Sequence, residues 1–300
     1  MTEAASTSAP GWRQWVAGAR PRTLPAAVVP VVVGTAAGVG EADGGILWWR
    51  AAAALVVSLA LQVATNYVND YADGARGTDT DRVGPMRLVG SGAASVGQVK
   101  RAALAAFTVA GLAGGALAVA VGWELVVVGM VSMLAGWAYT GGPKPYGYLG
   151  LGELFVFVFF GVVATAGSTY VQTEAVTGLS LLASVPVGLA AVALLVINNL
   201  RDIPGDTESG KRTLAVRLGD TATRSLYVGL IVAVGAGIVA CALVRPAAAL
   251  GLVGLVAAVG PVRTVLSGAK GPALIPVLGA TGRAQLLVGL LLALGLGIGG

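Results

Sequence analysis

Residues 47–82 read LWWRAAAALVVSLALQVATNYVNDYADGARGTDTDR. The apolar run from Leu47 to Asn69 is long enough to cross the roughly 30 Å hydrocarbon core of a bilayer. It ends in four aspartates, Asp70, Asp73, Asp79 and Asp81, within twelve positions. Carboxylates at the end of a membrane helix are costly unless something pairs with them, so this stretch sets both the fold class and the chemical question.

The rest of the chain has the same character. Its 300 residues are 56% hydrophobic and 11% charged, with a mean hydropathy of +0.83, far more apolar than a soluble domain. Apolar runs recur at Thr23 to Gly40, Leu47 to Asn69, Ala102 to Val121, Leu125 to Thr140, Leu151 to Val171, Leu181 to Leu200, Ser225 to Val244, Ala247 to Leu266 and Ala284 to Gly299. Lipid leaves unpaired backbone groups nowhere to go, so the expected architecture is an all-α, multi-pass bundle of nine transmembrane helices. Residues 1–22 lack the apolar core and cleavage site of a secretory signal and read as a cytoplasmic tail; 23–300 form one membrane domain.

Charge placement orients the bundle. With the N-terminus inside, all of the 19 Lys and Arg residues except Arg50 and Arg245 fall on the cytoplasmic side, as the positive-inside rule requires. The expected location is the cell membrane, with the aspartate-rich ends facing the cytoplasm. A net charge of +5 scattered between apolar runs does not form the basic stripe of a nucleic-acid binder. The single Cys241 and the absence of histidine exclude thiolate or imidazole metal sites; any metal is held by oxygen.

A second acidic segment matches the first. VATNYVNDYADG from Val63 lies on LVINNLRDIPGD from Leu195 at an offset of 132 residues, with Asn66 on Asn198 and Asp70 on Asp202. The two segments, 66–81 and 198–213, hold six of the chain's eight aspartates. Asn66, Asp70 and Asp73 are spaced to share a helix face. Facing carboxylates repel each other and repel phosphate, and Mg²⁺ resolves both conflicts, because it takes one or two carboxylates together with substrate phosphates. The metal set read here is Asp70, Asp73, Asp79, Asp202 and Asp206. Arg201 and Lys211 read as partners of a bound anion, with Arg22, Lys144 and Arg212 also placed to contact substrate. A lipid-buried bundle beneath such a site fits a diphosphate carrying a long apolar tail.

These residues resemble the UbiA superfamily of intramembrane aromatic prenyltransferases, which carry two Asp-rich motifs after the second and sixth of nine helices. The resemblance rests on RPRTLPAAVVPVVVGTA, LQVATNYVNDYADGARGTDTDRVGPMRLVGSG, YTGGPKPYGYLGLGELFVFVFFG and NNLRDIPGDTESGKRTLAVRLG. It implies that Asn69 and Asp73 open the first motif, with Gly77 where a third acid usually stands and Asp79 as its replacement, the metal contact being left open between Asp79 and Asp81. It implies equally that Asp202 and Asp206 form the second motif and that Lys211 lies near the diphosphate. The wording is similar to the branch acting on 1,4-dihydroxy-2-naphthoate, implying polyprenyl transfer from a polyprenyl diphosphate with decarboxylation, in menaquinone biosynthesis. Tyr139 and Glu153 flank GGPKPYGYLG as candidate substrate contacts. Another aromatic acceptor, such as 4-hydroxybenzoate or homogentisate, is the nearer alternative; a cation transporter is the remoter one, since transporters place charge near the midplane.

Overall fold

The computed structural model describes residues 10–42, 44–77 and 86–300; Asp79, Asp81 and Arg82 lie outside them. Among the described residues every regular element is a helix. A short helix, α1 (Trp12–Gly18), precedes α2 (Pro25–Ala37), α3 (Trp48–Arg76), α4 (Val96–Ala120) and α5 (Glu124–Ala138). Then come α6 (Gly152–Thr173), α7 (Gly178–Glu208), α8 (Leu214–Val244), α9 (Pro246–Leu266) and α10 (Gly271–Ile298). Seven of these are long and apolar enough to cross a membrane; α2 and α5 are shorter apolar helices, of 13 and 15 residues, at the first and fourth expected spans. The chain is an integral membrane protein.

Helix ends depart from the hydrophobic runs at one face. α3 continues to Arg76 and α7 to Glu208, so Asp73, Asp202 and Asp206 sit on the last turns of helices. α8 begins at Leu214 with a short stretch that a non-helical Gly219 (φ 77°) sets off from the apolar run, and α10 begins at Gly271, ahead of its expected run, with Leu274, Val277 and Leu278 packed into the core. Local chemistry sets the boundaries. Gly77 closes α3 in a left-handed conformation (φ 70°), Ser95 and Gln98 form a capping box at α4, and the Thr213 hydroxyl accepts from the Val216 N–H to begin α8.

α7 is the axis of the bundle, with 72% of its apolar window buried against 17% for α4. Val187 and Ile197 of α7 join two apolar clusters with Val33 of α2, Tyr227 and Ile238 of α8, and Leu278 and Leu292 of α10. Fully burying side chains of this size stabilises by about 1.5–3 kcal/mol each. α2 crosses α6 closely: a Cβ on Gly34 would lie 2.1 Å from the Thr165 carbonyl, and the Thr169 hydroxyl donates to the Gly34 carbonyl at 2.7 Å. On the other side Tyr67, Val68, Leu88 and Val99 knit α3 to the segment before α4.

Within α6, Phe157–Val163 is π-helical, a rare geometry that clusters at functional sites. The wider turn turns Phe159, Phe160 and Val163 toward a cavity beside α3, α5 and α7.

Candidate active site

The cavity measures about 430 Å³. Its polar end lies where α3 and α7 finish and is lined by Asn66, Asn69, Asp73, Asn198, Asn199, Asp202, Asp206 and Lys211. Its far end reaches Leu117 near the close of α4 and Leu125 at the start of α5. Because α3 and α4 are traversed in opposite directions, these ends lie toward opposite faces of the bundle. Between them the wall is apolar, with Leu61, Met130, Met133, Phe155, Phe159 and Leu194 among its residues.

Asp73 is held by two cations and a tyrosine. Its Oδ2 lies 3.2 Å from both Lys211 Nζ and Arg87 Nη2, and its Oδ1 accepts from the Tyr148 hydroxyl. The Tyr148 ring sits under two cations, Lys211 Nζ at 4.8 Å and the Arg76 guanidinium at 5.4 Å from its centroid. Arg76 in turn donates to the Thr140 and Gly142 carbonyls, both at 2.6 Å, holding residues 140–148 over the end of α3. Burial, joined by the Asp73 carboxylate, pushes the Tyr148 hydroxyl well above the ordinary tyrosine value, so it stays a donor.

The second motif has its own cation. Arg201 Nε donates to Asp202 Oδ1 at 2.7 Å and Arg201 Nη2 to Oδ2 at 2.8 Å and to Asn198 Oδ1 at 2.9 Å. Asn69 mirrors Asn198 one turn before its acid, accepting from the Thr140 hydroxyl at 2.5 Å. Asn69 and Asp73 thus share with Asn198 and Asp202 both the Asn-x-x-x-Asp spacing and the cavity wall, three residues away from the register in which Asp70 matches Asp202.

Asp70 departs from its expected place. It is buried, but its two oxygens accept from the backbone N–H groups of Leu88 and Val89 at 2.7 and 3.0 Å, and it does not line the cavity. At about 100° per residue it stands roughly 60° round the helix from Asp73, on the side facing the segment before α4. Asn66 does face the cavity, where its amide donates to the Ala19 carbonyl at 2.9 Å.

Three cations also depart. Arg22, Lys144 and Arg212 are exposed and outside the lining. Arg20, two residues before Arg22, lines the cavity in a left-handed conformation (φ 55°), a backbone strain that non-glycine residues carry at functional sites. Arg201 is buried and reaches the site through Asp202 rather than directly. Tyr139 lines the cavity as expected. Sequence reasoning missed Arg20, Arg87, Tyr148 and Asn199 as site residues; the aromatic-rich PYGYLG segment was the available signal for Tyr148.

A row of rings continues from Tyr139 down the wall. Tyr139 meets Tyr146 edge-on at 5.4 Å, Tyr146 stacks on Phe155 at 3.9 Å, and Phe155 lies 6.0 Å from Phe159 at 22°. All four line the cavity.

Among the described residues no three Cys, Asp or Glu side chains converge into a ready-made metal cage. The donor set still fits Mg²⁺: Asp73, Asp202 and Asp206 with two asparagine amides are all oxygen donors on one cavity, and Mg²⁺ is held by one or two carboxylates plus phosphate oxygens.

Fold and site together define a membrane-embedded helical enzyme with an acidic, cation-ringed mouth above a long apolar cavity. The family model of UbiA prenyltransferases matches residues 27–271, and the chain belongs to that family. It is 48% identical over 289 residues to a 1,4-dihydroxy-2-naphthoate octaprenyltransferase of Mycobacterium tuberculosis, covering 95% of this chain and 97% of that one. It is 49% identical to the Mycobacterium leprae protein of the same name, over 91% of this chain and 92% of that one. A solved UbiA homologue from Archaeoglobus fulgidus, bound to DMAPP and Mg²⁺, shares the fold with a TM-score of 0.58 at 15% identity, covering 92% of this chain and 98% of that one.

Proposed function

We propose that this protein transfers a polyprenyl group from polyprenyl diphosphate to 1,4-dihydroxy-2-naphthoate with loss of the carboxylate, forming demethylmenaquinol in menaquinone biosynthesis. The observation that carries the reading is the cavity itself: paired Asn-x-x-x-Asp motifs and cations at one end, and an apolar channel leading from them. A diphosphate belongs at the first and its hydrocarbon tail in the second. The naphthoate relatives, alike over nearly the whole chain, support the acceptor.

Asp73, Asp202 and Asp206, with Asn69 and Asn198, would hold Mg²⁺, which supplies positive charge against the departing diphosphate. The Archaeoglobus homologue, bound to DMAPP and Mg²⁺, supports the use of a divalent metal. Lys211 at the same mouth adds a fixed cation where the leaving group gains charge. As the allylic C–O bond breaks, the carbon left behind becomes cationic. The rings of Tyr146, Phe155 and Phe159 line the cavity below the motifs, where an aromatic ring would stabilise such a cation, and the apolar wall would keep water from it. A ring carbon of the electron-rich diol attacks, the new C–C bond forms, and release of CO₂ returns the ring to an aromatic diol.

The expected setting is the cell membrane with the motif face cytoplasmic, on the strength of the Lys and Arg distribution. Purified protein given dihydroxynaphthoate, polyprenyl diphosphate and Mg²⁺ tests the reading by mass spectrometry. The expected product is the decarboxylated prenyl adduct, absent with EDTA. A wild-type preparation that prenylates only a different aromatic acceptor overturns the assignment of substrate.

A further inference from the structure

We propose that Glu153 is a positioning residue for the aromatic acceptor, acting through Asn199, whose side-chain carbonyl receives a ring hydroxyl of that acceptor. The inference rests on the reading that the acceptor is a hydroxylated aromatic, and it adds the residues that recognise the hydroxyl.

Glu153, in the first turn of α6, is 8% exposed. Its Oε1 accepts from Asn199 Nδ2 at 3.0 Å, and its Oε2 is buried with no hydrogen-bond partner. Among the described residues no Lys or Arg pairs with it. Burying an acid without a cation costs stability, and the side-chain hydrogen bond that Glu153 makes goes to a residue of the cavity wall.

Asn198 and Asn199 both line the cavity, yet they are committed differently. Asn198 is bound to Arg201 and Asp202 and belongs to the diphosphate side. Asn199 is bound to Glu153, beside Gly152 and the Tyr139 ring. With its N–H₂ group turned to the carboxylate, Asn199 presents its carbonyl oxygen away from Glu153, and that oxygen is not among the buried unpaired atoms. A fixed acceptor oxygen makes no direct hydrogen bond to a diphosphate or a hydrocarbon, neither of which carries a donor at neutral pH. A phenolic O–H does. Asn199 thus separates the two substrates by hydrogen-bond sense, and Glu153 fixes the amide in the discriminating orientation.

The test is steady-state kinetics of the full chain in lipid or detergent with both substrates varied. Glu153→Ala and Asn199→Ala each raise KM for dihydroxynaphthoate about tenfold, the scale of one hydrogen bond, and leave KM for the polyprenyl diphosphate within about twofold. Glu153→Gln, whose amide oxygen still accepts from Asn199, keeps the wild-type KM. The double alanine variant is no worse than Asn199→Ala alone, since the two residues act as one unit. Inhibition by 2-naphthoate, which lacks the ring hydroxyls, is unchanged in Asn199→Ala. An unchanged acceptor KM in Asn199→Ala, an equal rise in both KM values, or multiplicative effects in the double variant overturns the proposal. If Glu153→Ala fails to fold, Asn199→Ala and Glu153→Gln decide it. Wild-type turnover with naphthoate is read in the same assay, so failure of the functional reading shows there and failure of this one shows in the variants.

Discussion

Lys211 Nζ and Asp73 Oδ2 meet at 3.2 Å, joining the segment after α7 to the last turn of α3 across the mouth of the cavity. The two motifs differ in where their cations come from. Arg201 is the neighbour of Asp202 in sequence, so that pair survives any movement between helices. Lys211 reaches Asp73 from another helix end, and a ligand that draws the ammonium toward a diphosphate also changes what holds the two motifs together.

Lys211→Met is expected to lower turnover by about 10²-fold, the scale of losing one preorganised charge at a transition state, and to raise KM for the polyprenyl diphosphate. Lys211→Arg restores part of the affinity but less of the rate, because a planar guanidinium does not replace a point charge over the Tyr148 ring. Initial rates at several diphosphate concentrations check this. Wild-type kinetics in the methionine variant would place the diphosphate elsewhere.

Asp70 and Asp73 are three residues apart and should behave as different kinds of residue. Asp73→Asn removes a cavity carboxylate, so the Mg²⁺ concentration for half-maximal rate rises and turnover falls at least about 10²-fold. Asp70→Asn weakens the hold on the Leu88 and Val89 amides, bonds to a charged acceptor worth roughly 1.5–3 kcal/mol each. The expected result is a lower Tm with an Mg²⁺ requirement close to wild type. A metal titration of both variants beside their melting curves separates the roles; a large Mg²⁺ shift in Asp70→Asn returns that residue to the metal set.

The bundle was legible in the sequence because lipid imposes a length on each apolar run, and every expected span contains a helix. The choice of face was less legible. A turn of 3.6 residues lies between spacings of three and four, so Asn66, Asp70 and Asp73 and the pair Asn69 and Asp73 were equally good stripes. Packing of Leu88 and Val89 against Asp70 decides between them, and that contact is not local. The same holds for Arg20 over Arg22, which depends on a left-handed residue at 20, and for Lys211 with Tyr148, which the fold brings together from separate loops. The π-helical turn of α6 leaves no mark in the pattern of apolar residues.

Tyr148 offers a test of how Asp73 is held. Tyr148→Phe removes the donated hydroxyl but leaves the ring between Arg76 and Lys211, and a loss of about tenfold in kcat/KM is expected from one charge-assisted hydrogen bond. Tyr148→Ala, which also removes the cation–ring contacts, loses more. The hydroxyl's raised pKa means that its contribution is fully present below the ordinary tyrosine value of about 10 and is lost only above it, as pH rises through the folded value. The ratio of wild-type to Tyr148→Phe activity should therefore stay constant from neutral pH to that point. A ratio that collapses near neutrality would show that the Tyr148 hydroxyl is not the donor whose loss slows the variant.

The position of the hydrocarbon tail can be tested at Gly129 in α5. This glycine lines the cavity, and a Cβ there meets no atom within 4 Å, so a larger side chain enters open space rather than a packed helix. Replacing glycine within a helix also favours the helix by about 0.5–1 kcal/mol, which keeps the variant folded. Gly129→Leu is thus expected to fill part of the channel at little cost to stability. A donor short enough to end above this level should react at the wild-type rate, whereas a long polyprenyl diphosphate should lose at least about tenfold in kcat/KM, since each buried methylene displaced forfeits roughly 0.8 kcal/mol. Measuring kcat/KM across a series of donor lengths locates the break. A uniform effect, or none at any length, means that the tail leaves the motifs by another route and that the apolar cavity does not serve it.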